Sequence, residues 1–173
     1  MTVYRASADG LVIGITAVVI LVLGAIAAGG LAAAAFSRAP GWLRSVLLLP
    51  TVLCLGILVA AYAYTPREFR LSDDALVVAR PAGDVIVPLQ GMTEVRAVPS
   101  PVSGSIRLGG NGGLFGFWGR YHNDTLGSFT LYGKRATGGV ALVTPDAKVV
   151  ITPDEPEKFV ADIQQRLGRR VAG

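Results

Sequence analysis

The sequence predicts a two-part fold: an N-terminal helical hairpin long enough to cross a membrane, followed by a small, mainly-β domain closed by one helix. Three observations carry that prediction. Two uncharged apolar runs occupy the first third of the chain, short strand-like segments set off by Gly, Pro, Asp and Ser fill the middle, and the last stretch has an apolar stripe at helical spacing.

From Gly10 to Ser37 no residue carries a charge, and at about 1.5 Å per residue that run outreaches a bilayer core of about 30 Å. A second uncharged run covers residues 45–66, and between the two lies a short segment with Arg38, Pro40, Gly41, Trp42 and Arg44. The expected spans are residues 11–36 and 45–64, within a hairpin that fills residues 1–66. A cleaved signal peptide is the rival account, since Ala32 to Ala35 followed by Ser37 resembles a cleavage region. The apolar run is far longer than a signal core of roughly 7–15 residues, and a second span follows directly.

Gly24 with Ala28 and Gly56 with Ala60 stand four apart, and small faces of this kind let helices pack closely. The same spacing also arises by chance in a run rich in Gly and Ala. Gly29-Gly30 is expected to end or bend the first helix and Pro50 to kink the second near its start. Phe36, Trp42, Tyr62 and Tyr64 fall near the run ends, where an aromatic belt is expected.

The chain has 16 Lys and Arg against 12 Asp and Glu, and only Arg5, Asp9, Arg38 and Arg44 precede Arg67. Cations interspersed with acids, without a basic run, speak against a nucleic-acid partner. Arg5, Arg67, Arg70 and Arg80 flank the side of both termini, against Arg38 and Arg44 in the loop. That bias favours a multi-pass membrane protein with its C-terminal domain in the cytoplasm. Cys54 is the single cysteine, so no intrachain disulfide forms.

The domain is expected over residues 67–168, with 169–173 as a tail. Strands are read at 68–71, 75–79, 85–89, 93–98, 127–132, 140–144 and 148–152, about seven in all. Ser72-Asp73-Asp74 and residues 81–84 read as turns, and 99–104 and 109–113 as loops. A helix over about 154–168 closes the chain, with Asp154 as its cap, Glu157 completing a capping box, and Phe159, Val160, Ile163 and Leu167 as the stripe it buries.

Strands followed by one amphipathic helix suggest a bent sheet or open barrel plugged at one end. The runs Gly109-Gly-Asn-Gly-Gly-Leu-Phe-Gly-Phe-Trp-Gly-Arg-Tyr-His122, Leu126-Gly-Ser-Phe-Thr-Leu-Tyr132 and Val149-Val-Ile-Thr-Pro-Asp-Glu-Pro-Glu-Lys-Phe159 resemble the bacterial pleckstrin-homology (PH) domain family of membrane-anchored proteins. The resemblance covers roughly Arg67 to Leu167. It implies a seven-stranded, strongly bent sheet capped by a C-terminal helix, often joined to transmembrane segments, with no catalytic activity established for the class. Eukaryotic relatives of that fold bind phosphoinositides through basic residues at the first hairpin turn. Here that turn is Ser72-Asp73-Asp74, whose carboxylates would repel a phosphorylated headgroup, so the function is not carried over.

The glycines at 109–113 lack the Lys-Ser/Thr ending of a P-loop and read as a flexible hairpin loop. His122 is the only histidine and stands beside Asn123 and Asp124, which reads as a surface turn rather than a metal or triad site. Phe115, Phe117, Trp118 and Tyr121 form the densest aromatic cluster, suited either to core packing or to docking on the membrane, the hairpin or another subunit. Arg107, Arg120, Lys134 and Arg135 are candidates for an anionic-headgroup patch.

The expected function is a membrane-anchored, non-catalytic interaction module without cofactor or metal, binding a protein partner or its own copies. The alternatives are a sensor of anionic lipid or a small ligand through the loop cations, and an accessory subunit of a membrane enzyme or transporter. Neither apolar run carries an ionisable group inside it to mark a transport path.

Overall fold

A computed structural model describes residues 1–145 and 147–171. Strand β1 (Thr2–Arg5) comes first, then helices α1 (Gly10–Phe36) and α2 (Gly41–Tyr64). The sheets follow as β2 (Glu68–Leu71), β3 (Ala75–Ala79), β4 (Val85–Pro88), β5 (Glu94–Val98), β6 (Ile106–Gly112), β7 (Phe117–Asn123), β8 (Gly127–Gly133), β9 (Gly139–Val143) and β10 (Lys148–Thr152). Helix α3 (Pro156–Val171) ends the chain.

Residues 1–66 are more than a hairpin. Thr2–Arg5 pairs antiparallel with β2, Tyr4 opposite Phe69, so the helices are inserted between the first and second strands of a sheet. Two helices are long and apolar enough to cross a membrane, and few of their residues are buried, unlike core helices of soluble proteins. α1 continues through Gly29-Gly30, so the pair does not end it, and Pro50 lies inside α2, the tenth residue of that helix. α2 begins at Gly41, four residues before the expected span.

The helices do not meet on the faces of Gly24, Ala28, Gly56 and Ala60, all of which are exposed. Among the glycines of the two helices only Gly30 lies against the other helix: a Cβ there would come within 2.8 Å of the Thr51 hydroxyl, which donates to the Ala27 carbonyl at 2.9 Å. Thr51, Cys54 and Ala61 are the buried side of α2. Packing and an interhelical hydrogen bond hold the pair, as lipid offers helices no hydrophobic drive to associate.

The strands form two sheets, β1-β2-β3-β4 and β5-β9-β10-β8-β7-β6, with β10 and β8 parallel and the other pairs antiparallel. The expected glycine loop at 109–113 is mostly strand β6. Gly110 and Gly119 face each other across the β6–β7 ladder, and a Cβ on either would come within about 2.2 Å of the opposite backbone. Glycine lets the two chains touch here.

One core lies between the sheets and under α3. Tyr4, Phe69, Leu71, Leu76, Val78, Val140, Leu142 and Ile151 surround Phe159 and Ile163, both fully buried. Burying a side chain of that size is worth about 1.5–3 kcal/mol. A second core lies on the other face of the larger sheet, from Phe117, Tyr121, Phe129, Leu131, Ala141 and Val150, and Val12 of α1 closes it. β9 and β10 are therefore buried on both faces, which explains their continuous apolar sequence.

Asp154 does not cap α3. Its carboxylate accepts from the Ser7 backbone at 2.9 Å and the Ser7 hydroxyl at 2.6 Å, and the first bond of the helix runs from the Phe159 amide to the Glu155 carbonyl. The tail expected at 169–173 is helix as far as Val171; residues 172–173 lie outside the described ones.

Candidate functional site

The hairpin joins the sheets through two chain crossings, and the polar groups around both are bonded across the seam. Asp9 caps α1, accepting from the Val12 amide at 2.9 Å, and its other oxygen accepts from the Ala136 amide at 2.7 Å. Thr16 is the lone hydroxyl of α1. It accepts from the Phe115 amide at 2.8 Å and donates to the Gly113 carbonyl at 3.4 Å, so the β6–β7 turn is pinned more than one helical turn above the start of α1.

The aromatic stretch divides. Phe117 and Tyr121 enter the second core, with Tyr121 stacked on Phe129 at 6.0 Å. Burial holds the Tyr121 phenol above its ordinary range, with Arg107 opposing. Phe115 and Trp118 face the end of α2 instead. Phe115 meets Tyr62 edge-on at 5.6 Å, and Trp118 lies against Tyr64 at 5.1 Å. Of the four residues expected as an aromatic belt, Tyr62 and Tyr64 are thus bolted to the sheet domain, and Phe36 and Trp42 are exposed. Phe115 has φ of 61° and is the one non-glycine with positive φ among the described residues. Asn111 braces it, donating to the carbonyls of Leu114 and Gly116.

The four expected cations do not converge. Arg107 and Arg120 lie exposed on β6 and β7, and Arg120 stands opposite Thr130, roughly 13 Å along the strand from Lys134. Arg135 is near Asp154 at 3.9 Å. Lys134 instead lies within the field of Arg67, a residue outside that expected set. Burial, then the charge of Arg67, hold the Lys134 amine below its ordinary value, with Asp154 opposing.

Arg67 and Lys134 stand at the mouth of a cleft of about 650 Å³ between α1, the end of α2 and the β6–β7 turn. Val12, Ile13, Thr16, Ala17 and Ile20 of α1 form one wall, and Tyr62, Thr65 and Phe115 the other. The guanidinium of Arg67 lies over the Tyr62 ring, 4.9 Å from its centre. The signals for this site were present as single residues: a lone hydroxyl in an apolar run, an Asp before its first residue, an Arg just past the second.

The family model of the bacterial PH domain matches residues 67–167. The chain belongs to this family. No curated protein and no solved structure matches it. The matched PH domain begins after β1 and both helices, so one strand of its sheet lies outside the match. PH domains are in general non-catalytic modules. In this one the first hairpin turn carries Asp73, ion-paired with Arg166 of α3. His122 is exposed on β7, its Nδ1 3.1 Å from the Ser128 hydroxyl. Among the described residues no three His, Cys, Asp or Glu gather as a metal site.

Proposed function

We propose that the chain is a membrane-anchored, non-catalytic interaction module whose PH domain is fixed against the cytoplasmic face of the bacterial inner membrane and adds a protein strand, from a partner or a second copy, to β6. The observation that carries the binding reading is the edge itself. β6 is one of the two outer strands of the six-stranded sheet, and Ile106 and Leu108 on it are 67% and 57% exposed. Edges are blunted by charge, proline or bulges; this one has a single exposed arginine, Arg107, with a bulge beside it, and otherwise offers aliphatic side chains, glycines and Asn111. Main-chain pairing would supply affinity and the two aliphatic positions selectivity.

Anchoring is supported by the two apolar helices and by the insertion of the hairpin within a sheet, since cleavage after α1 would remove β1. Arg5, Arg67, Arg70 and Arg80 at the domain end, against Arg38 and Arg44 at the loop, support the cytoplasmic side. A photo-crosslinker at Leu108, activated in native membranes, is expected to capture one protein or a second copy, and Ile106→Lys to abolish the product. Capture of nothing at Leu108 rules out the edge as the docking site. Release of the chain by alkaline extraction rules out the anchor.

A further inference from the structure

The cleft at the hairpin base is apolar along one wall and cationic at its mouth. From Val12 to Ile20 its wall climbs α1 by about 12 Å, toward what would be the acyl region of a bilayer. Arg67 and Lys134 form no ion pair among the described residues, as is true of several other cations, but these two alone line the cleft. Arg67 spends its guanidinium on the Tyr62 hydroxyl and ring. The acid near Lys134, Asp154, is already held by Ser7 and Arg135. An exposed Arg67 and a half-buried Lys134 thus face the same cleft, two like charges that an entering anion stabilises and that repel each other otherwise. The β6–β7 turn that forms the far wall is the place where the chain tolerates a left-handed phenylalanine, and such strain gathers at ligand clamps.

We propose that this cleft binds one anionic phospholipid, with its phosphate between Arg67 and Lys134 and one acyl chain along the Val12–Ile20 face of α1. The inference rests on the membrane-anchored reading above. A cleft of about 650 Å³ is the size of a small-ligand site, enough for the phosphate and the upper part of one chain, the rest lying in the bilayer. The planar guanidinium suits two phosphate oxygens and the ammonium a third. The site is remote from the acidic turn at Ser72 to Asp74, and it uses neither Arg107 nor Arg120.

The test uses the full chain, purified in mild detergent and read by native mass spectrometry and thermal melting. One phosphatidylglycerol should stay bound, and added phosphatidylglycerol should raise the melting temperature more than phosphatidylcholine does. Arg67→Gln with Lys134→Gln should weaken retention roughly 10- to 30-fold, as expected for two cations at an anionic surface. Ala17→Trp, which fills the acyl track and leaves both cations, should also release the lipid. Equal retention of the two lipids, or retention unchanged in the double variant, overturns the proposal. So does an equal shift with inorganic phosphate, which would make the ligand a soluble anion. Alkaline extraction of membranes separates the two ideas: a chain that stays with the membrane yet shows no lipid preference refutes the cleft alone, and a chain that is released refutes the anchor.

Discussion

Phe115 holds its backbone in the left-handed region at a cost of about 1–2 kcal/mol, and the Thr16 hydroxyl, the Asn111 amide and the Tyr62 ring keep it there. Phe115→Ala loses the ring and keeps the strain, whereas Phe115→Gly loses the ring and relieves it. Glycine should therefore be the more stable of the two by about 1 kcal/mol, the reverse of the usual order, as measured by denaturant or thermal melts in detergent. Alanine equal to or above glycine would show that the turn is not strained. At Lys134 the sign follows from its lowered pKa. Folding favours the neutral amine, so the penalty is full below the folded pKa and fades as pH rises toward the ordinary lysine value of about 10.4. Lys134→Met should raise the melting temperature of lipid-free protein at pH 7, and the gain should shrink toward pH 10. Little of this was legible in the sequence: a positive φ at a phenylalanine and the meeting of Lys134 with Arg67 both depend on which strands pair.

Most elements were readable because each shows its own period. α1, α2, α3 and the strands from β2 to β5 and β8 to β10 declare themselves by apolar runs, alternation and turn residues. Three strands, β1, β6 and β7, were not among the seven read, for different reasons; β7 lies in the aromatic stretch, whose apolar side chains do not alternate with a period of two. β1 is four residues long and precedes the longest apolar run, so its sheet partner is a strand more than sixty residues away. β6 reads as a loop because its glycines are there for close approach to β7, not for freedom. The pairing face of the hairpin was misplaced because small residues recur all along α1, and only the Gly30 position has a polar partner, Thr51, opposite it. Gly30→Leu should therefore splay the helices and lower the melting temperature of the full chain, by about 1–3 kcal/mol of overpacking. Gly24→Leu, where an added Cβ meets nothing, should leave the melt of the single chain unchanged. A loss at Gly24 that depends on protein concentration would instead place a second copy on that face.

At the scale of the whole molecule, the hairpin is an insertion rather than a leader placed before a domain. The family match over residues 67–167 marks a unit that lacks Tyr4, whose ring packs edge-on against Phe159 at 4.8 Å and whose hydroxyl donates to Asp162. Burial, then that bond to Asp162, push the Tyr4 phenol well above its usual range. The unit also lacks Ala6, Asp9 and Val12, which seal the core edge and the second core. Removing a buried aromatic side chain alone costs about 3–5 kcal/mol, a large share of a total stability of roughly 5–15 kcal/mol. Residues 65–171 by themselves should therefore melt without cooperativity and bind a hydrophobic dye. Packed helices lie about 8–10 Å apart, so a Gly/Ser linker of about five residues in place of residues 10–64 spans the gap. Residues 1–9 joined in this way to 65–171 should give a soluble domain with a single cooperative transition. Cooperative folding of 65–171 without β1 would show that the first strand is an ornament and that the hairpin merely precedes the domain. Dependence on β1 would mean that the domain cannot be complete until the chain has passed through both helices and returned, which ties folding of the domain to insertion of the hairpin.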